Sequence, residues 1–394
     1  MDIKLANKGY SVEYISTHGA LKECVSFLSS SPQMALDLEF DRDRNSYGFN
    51  LCLIQACAAQ RCFIIDPLAG IDCSDFFRLL ENPGILKILH SHGEDLRLLH
   101  SLGCKPVNVF DSDFAAKLLG YEKTSLAAML ENVLGITISK SEQNTNWLRR
   151  PLTPEQVLYA SSDVIHLADL MNALVKQAEE KKLHTWIHEE NTALSTVVFP
   201  TSLKEDFLSS KDRKEFSAYH QFLLNEWLKL RDSLAAEFKM PSYQVISPDT
   251  IRDIAAGKAD INSWTSLRGV YRKLKEEHYK EFFIKKNAEF INAAEAKSLS
   301  KARNERNYLG AAEWETRKAL IAEKERVKAE VFMPIKQHIA LTYGAGAASF
   351  ILGNALMEDI ISGNIKISDM KMNYRKELMQ AVAAELKIDL CPWM

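Results

Sequence analysis

Apolar and polar positions follow two rhythms along the first half of the chain. Met34-Ala-Leu-Asp-Leu-Glu-Phe40 repeats its apolar residues every second position, with Asp37 and Glu39 between them, which is the period of a strand. Residues 51–58 and 62–65 are apolar runs joined at Ala59-Gln60-Arg61, and they predict a β-hairpin. Residues 12–15 and 86–90 add short strands. Residues 20–28 and 95–102 carry helical spacing. At Thr153-Pro-Glu-Gln156 the signals for a helix start coincide. Thr153 can N-cap, Pro154 suits the first helical position and Gln156 completes a capping box. Val157, Val164, Ala168 and Met171 then share one helix face, with Tyr159, Asp163 and His166 roughly opposite. Antiparallel strands followed by α/β alternation predict an α/β fold, a mixed sheet flanked by helices.

The second half reads differently. Residues 199–214 look like a linker, with Pro200, three serines and mixed charge. From Asp212 onward strand patterns nearly vanish and helical ones dominate. Residues 246–257 align with residues 352–363 at an offset of 106, with Asp253/Asp359, Ile254/Ile360 and Gly257/Gly363 identical. This predicts two copies of one small all-α domain, with the charged stretch 297–328 as a helical connection. Gly344-Ala-Gly-Ala interrupts the first helix of the second copy.

Charge sharpens this division. Residues 1–200 carry 18 basic and 25 acidic side chains, while the remainder carries 31 and 27. An acidic first half suits divalent cations, and a mildly basic second half suits phosphate, although +4 over 194 residues is also ordinary surface. With 46% hydrophobic and 26% charged residues the composition is that of a soluble globular chain of two or three domains. No apolar run approaches the ~18–20 residues of a membrane span, and residues 1–10 hold no apolar leader segment, so a cytoplasmic protein is expected. Seven cysteines, an odd number in a long chain, do not predict a disulfide framework. Cys52, Cys57 and Cys62 read as small buried residues rather than zinc ligands.

Three short motifs carry candidate chemistry. Asp37 and Glu39 point to one face of a strand, where two carboxylates repel unless a cation joins them. A solvated polar face is the ordinary alternative. Asp95 falls in the first turn of a helix after His90-Ser-His-Gly, where the helix dipole alone would favour it. Tyr159 and Asp163, four apart, share a helix face. Four carboxylates and a phenol that converge on one cleft would suit Mg²⁺ or Mn²⁺, and two such ions can stabilise both oxygens of a phosphodiester displacement.

These residues sit in stretches that resemble the DEDDy subtype of DEDD exonucleases, the family that includes ribonuclease D. Asp37-Leu-Glu-Phe-Asp-Arg42, with Tyr47 and Leu51-Cys-Leu-Ile-Gln55 following, is similar to the first motif. Ile65-Asp-Pro-Leu68 also fits. Leu89-His-Ser-His-Gly-Glu-Asp-Leu96 is similar to the second motif, and Asn108-Val-Phe-Asp-Ser112 with Ala115-Ala-Lys-Leu-Leu-Gly120 to the segment after it. Lys140-Ser-Glu and Trp147-Leu-Arg-Arg-Pro-Leu152 precede Tyr159-Ala-Ser-Ser-Asp-Val164, the third motif. Asn146 and Ser112 depart from the usual Asp and Thr. Residues 216–286 resemble an HRDC domain.

The resemblance implies an RNase H-like exonuclease domain over 1–195, an HRDC-like helical domain over 210–290 and a second, diverged copy over 310–394. It implies two divalent metal ions, Mg or Mn, held by Asp37, Glu39, Asp95 and Asp163, with Tyr159 orienting the attacking water. These five would be the catalytic residues. Leu38, Phe40, Arg42, Tyr47, His90, Trp147 and Arg150 are the candidate substrate contacts. The implied activity is a 3′→5′ exoribonuclease that releases nucleoside 5′-monophosphates from tRNA precursors or other structured RNA, acting as a monomer. An exodeoxyribonuclease and an inactive nucleic-acid-binding scaffold are the alternatives. Arg268, Arg272, Lys273 and Lys275 are a basic cluster that reads first as solvated surface and second as a phosphate contact. A fragment ending near Phe199 would hold every implied ligand and is expected to act on short oligomers.

Overall fold

The computed structural model describes residues 4–7, 9–139, 141–197, 199, 205–302 and 311–394. Lys140, part of one family-like stretch, and residue 310, where the second helical copy was expected to begin, lie outside them. The chain forms two compact units. One comprises residues 1–40, 51–199 and 315–394, and the other residues 41–50 and 200–314.

The first half supplies a seven-stranded mixed sheet: β1 (Lys4–Asn7), β2 (Tyr10–Ile15), β3 (Gln33–Arg42), β4 (Phe49–Ala58), β5 (Arg61–Ile65), β6 (Leu86–Leu89) and β7 (Val109–Asp111). Their order across the sheet is β1-β2-β5-β4-β3-β6-β7. The expected hairpin forms, with β4 antiparallel to β5 and Cys57 opposite Cys62. Ala59 and Gln60 turn it with positive φ, the backbone twist that two-residue hairpins favour. Strands β2 and β5, β3 and β6, and β6 and β7 pair in parallel. All seven cysteines are free thiols and only Cys391 is exposed.

Among the described residues, eight helices accompany the sheet: α1 (His18–Ser29), α2 (Ser74–Leu80), α3 (Gly93–Ser101), α4 (Ser112–Leu118), α5 (Leu126–Leu134), α6 (Pro154–Ser162), α7 (Leu167–Glu180) and α8 (His184–Leu194). The capping box at Thr153 and Gln156 is present. The helix expected to run from there through Met171 is broken. Val164 donates to the Ser161 carbonyl and Leu167 to the Val164 carbonyl, three-residue spacings that tighten the turn between α6 and α7. His166 is buried in that turn, edge-on to Tyr10.

The second unit holds α9 (Ser210–Glu215), α10 (Ala218–Phe238), α11 (Ser242–Val245), α12 (Pro248–Ala255) and α13 (Glu277–Ala296). Its core is a stack of Trp227, Trp264 and Phe283, with the Trp264 indole donating to the Leu274 carbonyl at 2.6 Å. Arg268, Arg272 and Lys273 are exposed. Residues 41–50, which join β3 to β4, belong to this unit. Tyr47 donates to Asp232 at 2.8 Å, and Ser46 to the Lys239 carbonyl at 3.2 Å.

The remaining helices are α14 (Ala311–Val327), α15 (Met333–Tyr343), α16 (Ala345–Ile351), α17 (Asn354–Ile361) and α18 (Asn373–Leu386). The repeat seen in the sequence returns as geometry. After α12 and after α17 the chain turns through Gly257 and Gly363, both at positive φ. In both, the Asp253 or Asp359 carbonyl accepts from the two residues beyond the glycine. Residues 315–394 pack into the first unit, where Phe332, Ile335, Ile339, Ala347 and Ile351 share a core with Ile64, Ile88, Ala116 and Leu170.

Glycine permits that seam. A Cβ on Gly120 would lie 2.5 Å from the Tyr343 carbonyl oxygen, and one on Gly346 2.9 Å from that of Tyr121. Both distances are closer than side chains tolerate. Gly344, at φ +92°, makes the corner between α15 and α16.

Candidate active site

Strand β3 alternates between core and cleft. Leu36 and Leu38 are buried in the core, which sends Asp37 and Glu39 to the opposite face. Asp95 follows the turn after β6 and occupies the third position of α3. Tyr159 lies in the last half of α6, and Asp163 is that helix's C-cap. Carboxylate oxygens of Asp37, Glu39 and Asp163 lie within 4.8 Å of one another. Asp95 completes the cluster, since its charge acts on both Asp37 and Glu39.

The four acids act on one another electrostatically. Burial pushes Asp37 well above the usual carboxylate range, and Asp95, Asp163 and Glu39 push it further. Glu39 is pushed up to about 9 by burial and by Asp163 and Asp95. Burial raises Asp163 to about 7. It raises Asp95 to about 7 as well. Tyr159 hydrogen-bonds Asp163, and burial together with the three nearby carboxylates raises its phenol far above 10. It therefore stays protonated as a donor. The Trp147 ring lies against it, with centroids 6.1 Å apart. Hard oxygen donors this close, with carboxylates as the strongest charges upon them, fit a divalent cation such as Mg²⁺ or Mn²⁺.

The candidate substrate contacts have varied surroundings. Trp147 is buried. The Arg150 guanidinium grips Asp66 through two bonds of 2.6 and 2.7 Å and also donates to the Cys52 and Trp147 carbonyls. Its donors are committed within the fold. His90 bridges the Ser112 hydroxyl and the Thr124 carbonyl at 2.8 and 2.7 Å. Phe40 is half-buried beside Glu39. Arg42 and Tyr47 belong to the second unit, where Arg42 lies over the Phe49 ring at 5.2 Å. The sequence reading gave no role to Asp66 or Asp111, the two acids that organise this wall. Each is followed by a polar or helix-starting residue, which offers no period to detect.

A family model for 3′-5′ exonucleases matches residues 12–179. Residues 12–179 are thus similar to 3′-5′ exonuclease domains, and the chain is similar over that stretch to ribonuclease D proteins. Ribonuclease D of Shewanella sp. is 38% identical over 185 residues, 46% of this chain and 47% of that protein. Ribonuclease D of Desulfotalea psychrophila is 32% identical over 252 residues, 61% of this chain and 66% of that protein. The chain thus spans between about half and two thirds of these curated relatives. Among solved structures, the exonuclease fold recurs in Escherichia coli RNase D, described as an exoribonuclease involved in structured RNA processing. It shares 22% identity, with 94% of this chain and 98% of that one covered, at a TM-score of 0.66. The catalytic core of RRP6 from Trypanosoma brucei shares 21% identity over 74% and 82% of the two chains, at a TM-score of 0.62. The expected fold class, a mixed sheet flanked by helices with a helical second half, is the observed one. Among the described residues no helix is long and apolar enough to cross a membrane.

The raised carboxylates fix a sign for stability against pH. Without metal, the folded chain holds these protons up to about pH 7 to 9, whereas the unfolded chain releases them near pH 4. The folded state binds more protons in that window, so its stability falls as pH rises through it. Melting in a chelator is expected at lower temperature at pH 9 than at pH 5, with a flatter trend for Asp37→Asn. Equal trends in both proteins would show that the cluster does not cause it.

Proposed function

We propose that this chain is a metal-dependent 3′→5′ exoribonuclease that releases nucleoside 5′-monophosphates from RNA 3′ ends, with tRNA precursors or other structured RNAs as substrates in the cytoplasm. The observation that carries the reading is the convergence of Asp37, Glu39 and Asp163 within 4.8 Å, joined by Asp95 and capped by the Tyr159 phenol. Asp37, Glu39, Asp95 and Asp163 would hold two divalent ions, Mg²⁺ or Mn²⁺. Bound there, the ions would lower the pKa of water and offset charge on the phosphate oxygens. Tyr159, kept protonated by burial and by its acidic neighbours, would donate to the attacking water or the phosphate and hold it in line. Phe40 would pack against the terminal base. Residues 210–290 and 310–394 would be HRDC-like domains, and the second unit would supply phosphate contacts.

Release of mononucleotides from matched RNA and DNA oligomers, with Mg²⁺, Mn²⁺ or chelator, tests the proposal. RNA should be degraded from its 3′ end with either metal and remain intact in chelator. Preference for DNA would favour an exodeoxyribonuclease, and binding without hydrolysis an inactive scaffold. Tyr159→Phe is expected to slow the chemical step by about 10²-fold, the usual worth of a positioned proton donor, without weakening metal binding. Loss of metal affinity in that variant would make Tyr159 a prop for Asp163 instead.

A further inference from the structure

Asp95 follows a short turn between β6 and α3, and every residue of that turn before Gly93 is tied to the neighbouring β7–α4 corner. Ser91, held at φ +56°, donates its backbone N–H to Asp111 Oδ1 at 2.9 Å. His92, with 1% of its surface exposed, places Nδ1 3.0 Å from Asp111 Oδ2. His90 bonds the Ser112 hydroxyl through Nδ1 and the Thr124 carbonyl through Nε2. Asp111 also accepts from the Asp113 N–H at 2.8 Å, and its own N–H donates to Asn191 Oδ1 at 2.6 Å. The Leu96 N–H then closes the first turn of α3 on the His92 carbonyl.

A helix and a strand do not need this. The left-handed position of the turn falls on Ser91 rather than on Gly93, and a left-handed serine and the buried His92 imidazole are each costly unless the surrounding fold holds them. The geometry points to a two-histidine clamp. We infer that His90 and His92, acting through Asp111 and Ser112, are positioning residues that hold Asp95 at the depth and angle a divalent ion requires. His90 is thereby a support of the site rather than a contact to RNA. Partners behind a ligand commonly change metal affinity by 10- to 100-fold when removed, because the ligand must then be ordered by the ion itself.

The inference rests on the metal-dependent reading above, so its test reads metal affinity directly. Mn²⁺ binding to the full chain is measured by calorimetry for wild type, His92→Leu, His92→Asn and His90→Gln. The KM for a short RNA oligomer is measured in parallel. His92→Leu should weaken Mn²⁺ binding about 10- to 100-fold with KM within about twofold of wild type. His92→Asn, whose side-chain N–H can replace Nδ1 toward Asp111, should recover affinity to within about threefold. His90→Gln should also lose Mn²⁺ affinity rather than RNA affinity. If His92→Leu does not fold, the other two variants decide. Unchanged Mn²⁺ affinity in every folded variant overturns the inference. So does a raised KM with intact Mn²⁺ binding, which would return the histidines to the substrate. Wild-type chain that binds Mn²⁺ yet hydrolyses no RNA overturns only the proposed function, and absence of Mn²⁺ binding overturns both.

Discussion

Asp163→Asn is expected to lower 3′-terminal hydrolysis by roughly 10³-fold or more, and Asp37→Asn by a similar factor. Offsetting charge on a phosphodiester transition state is worth several kcal/mol, and about 4 kcal/mol corresponds to that factor. Neither change should unfold the protein. Both remove an ionisable group from a cluster in which burial and the neighbouring acids make ionisation costly in the folded state. In chelator near pH 8 the variants should therefore melt above wild type. With saturating Mn²⁺ the order should reverse, since only the intact site gains stability from the bound ion by linkage. This crossing separates a metal site from a merely crowded acidic face. Near-wild-type turnover in either variant would sink the ligand assignment, and a chelator-state melting point below wild type would sink the electrostatic account.

The face on which Asp37 and Glu39 lie was legible in the sequence, because a two-residue period leaves no choice once Leu36 and Leu38 are core. The hairpin, the capping box at Thr153 and the i, i+4 relation of Tyr159 to Asp163 were legible for the same local reason. The pairing survives although Asp163 sits just beyond the end of α6. What could not be read was which polar residues face one another across strands. Arg150 looks like a phosphate contact in the sequence, yet its guanidinium serves Asp66, 84 positions away. His90 and His92 look like a histidine pair beside a ligand, yet their partners are at 111, 112 and 124. Such pairs leave no period, because their separation is set by the fold. The repeat at 246–257 and 352–363 was visible as pattern. That residues 315–394 would share a core with the sheet was not, since Gly344-Ala-Gly-Ala reads as a broken helix until the backbone at Gly120 is seen against it.

That shared core changes what a truncated chain should do. The acidic cluster lies entirely before Phe199, which by itself would let the first half act alone. In the structure, however, Trp186 stacks on Tyr374 at 4.8 Å and packs against Tyr343 at 5.0 Å. Phe114 of α4 packs against Phe350 at 5.5 Å. Glu190, 3% exposed, is bonded by Arg375 at 2.6 Å and by the Tyr374 hydroxyl. Deleting residues 315–394 would uncover all of these together with the apolar faces of α4 and α8, a contiguous patch that favours aggregation. A fragment ending at Phe199 is therefore expected to be poorly soluble, whereas removing only part of the second unit leaves this seam intact. Within the full chain, Arg375→Met should destabilise the first unit by about 3–5 kcal/mol, because it leaves the Glu190 carboxylate buried without its cation. That is a fall of roughly 10 °C in melting temperature for a unit of this size. Restoring neutrality with Glu190→Gln in the same chain should recover much of the loss, since an amide is far less costly to bury than an unpaired charge. A soluble, fully active 1–199 fragment, or an Arg375→Met melting point within 2 °C of wild type, would show that residues 315–394 rest on the sheet domain without supporting it.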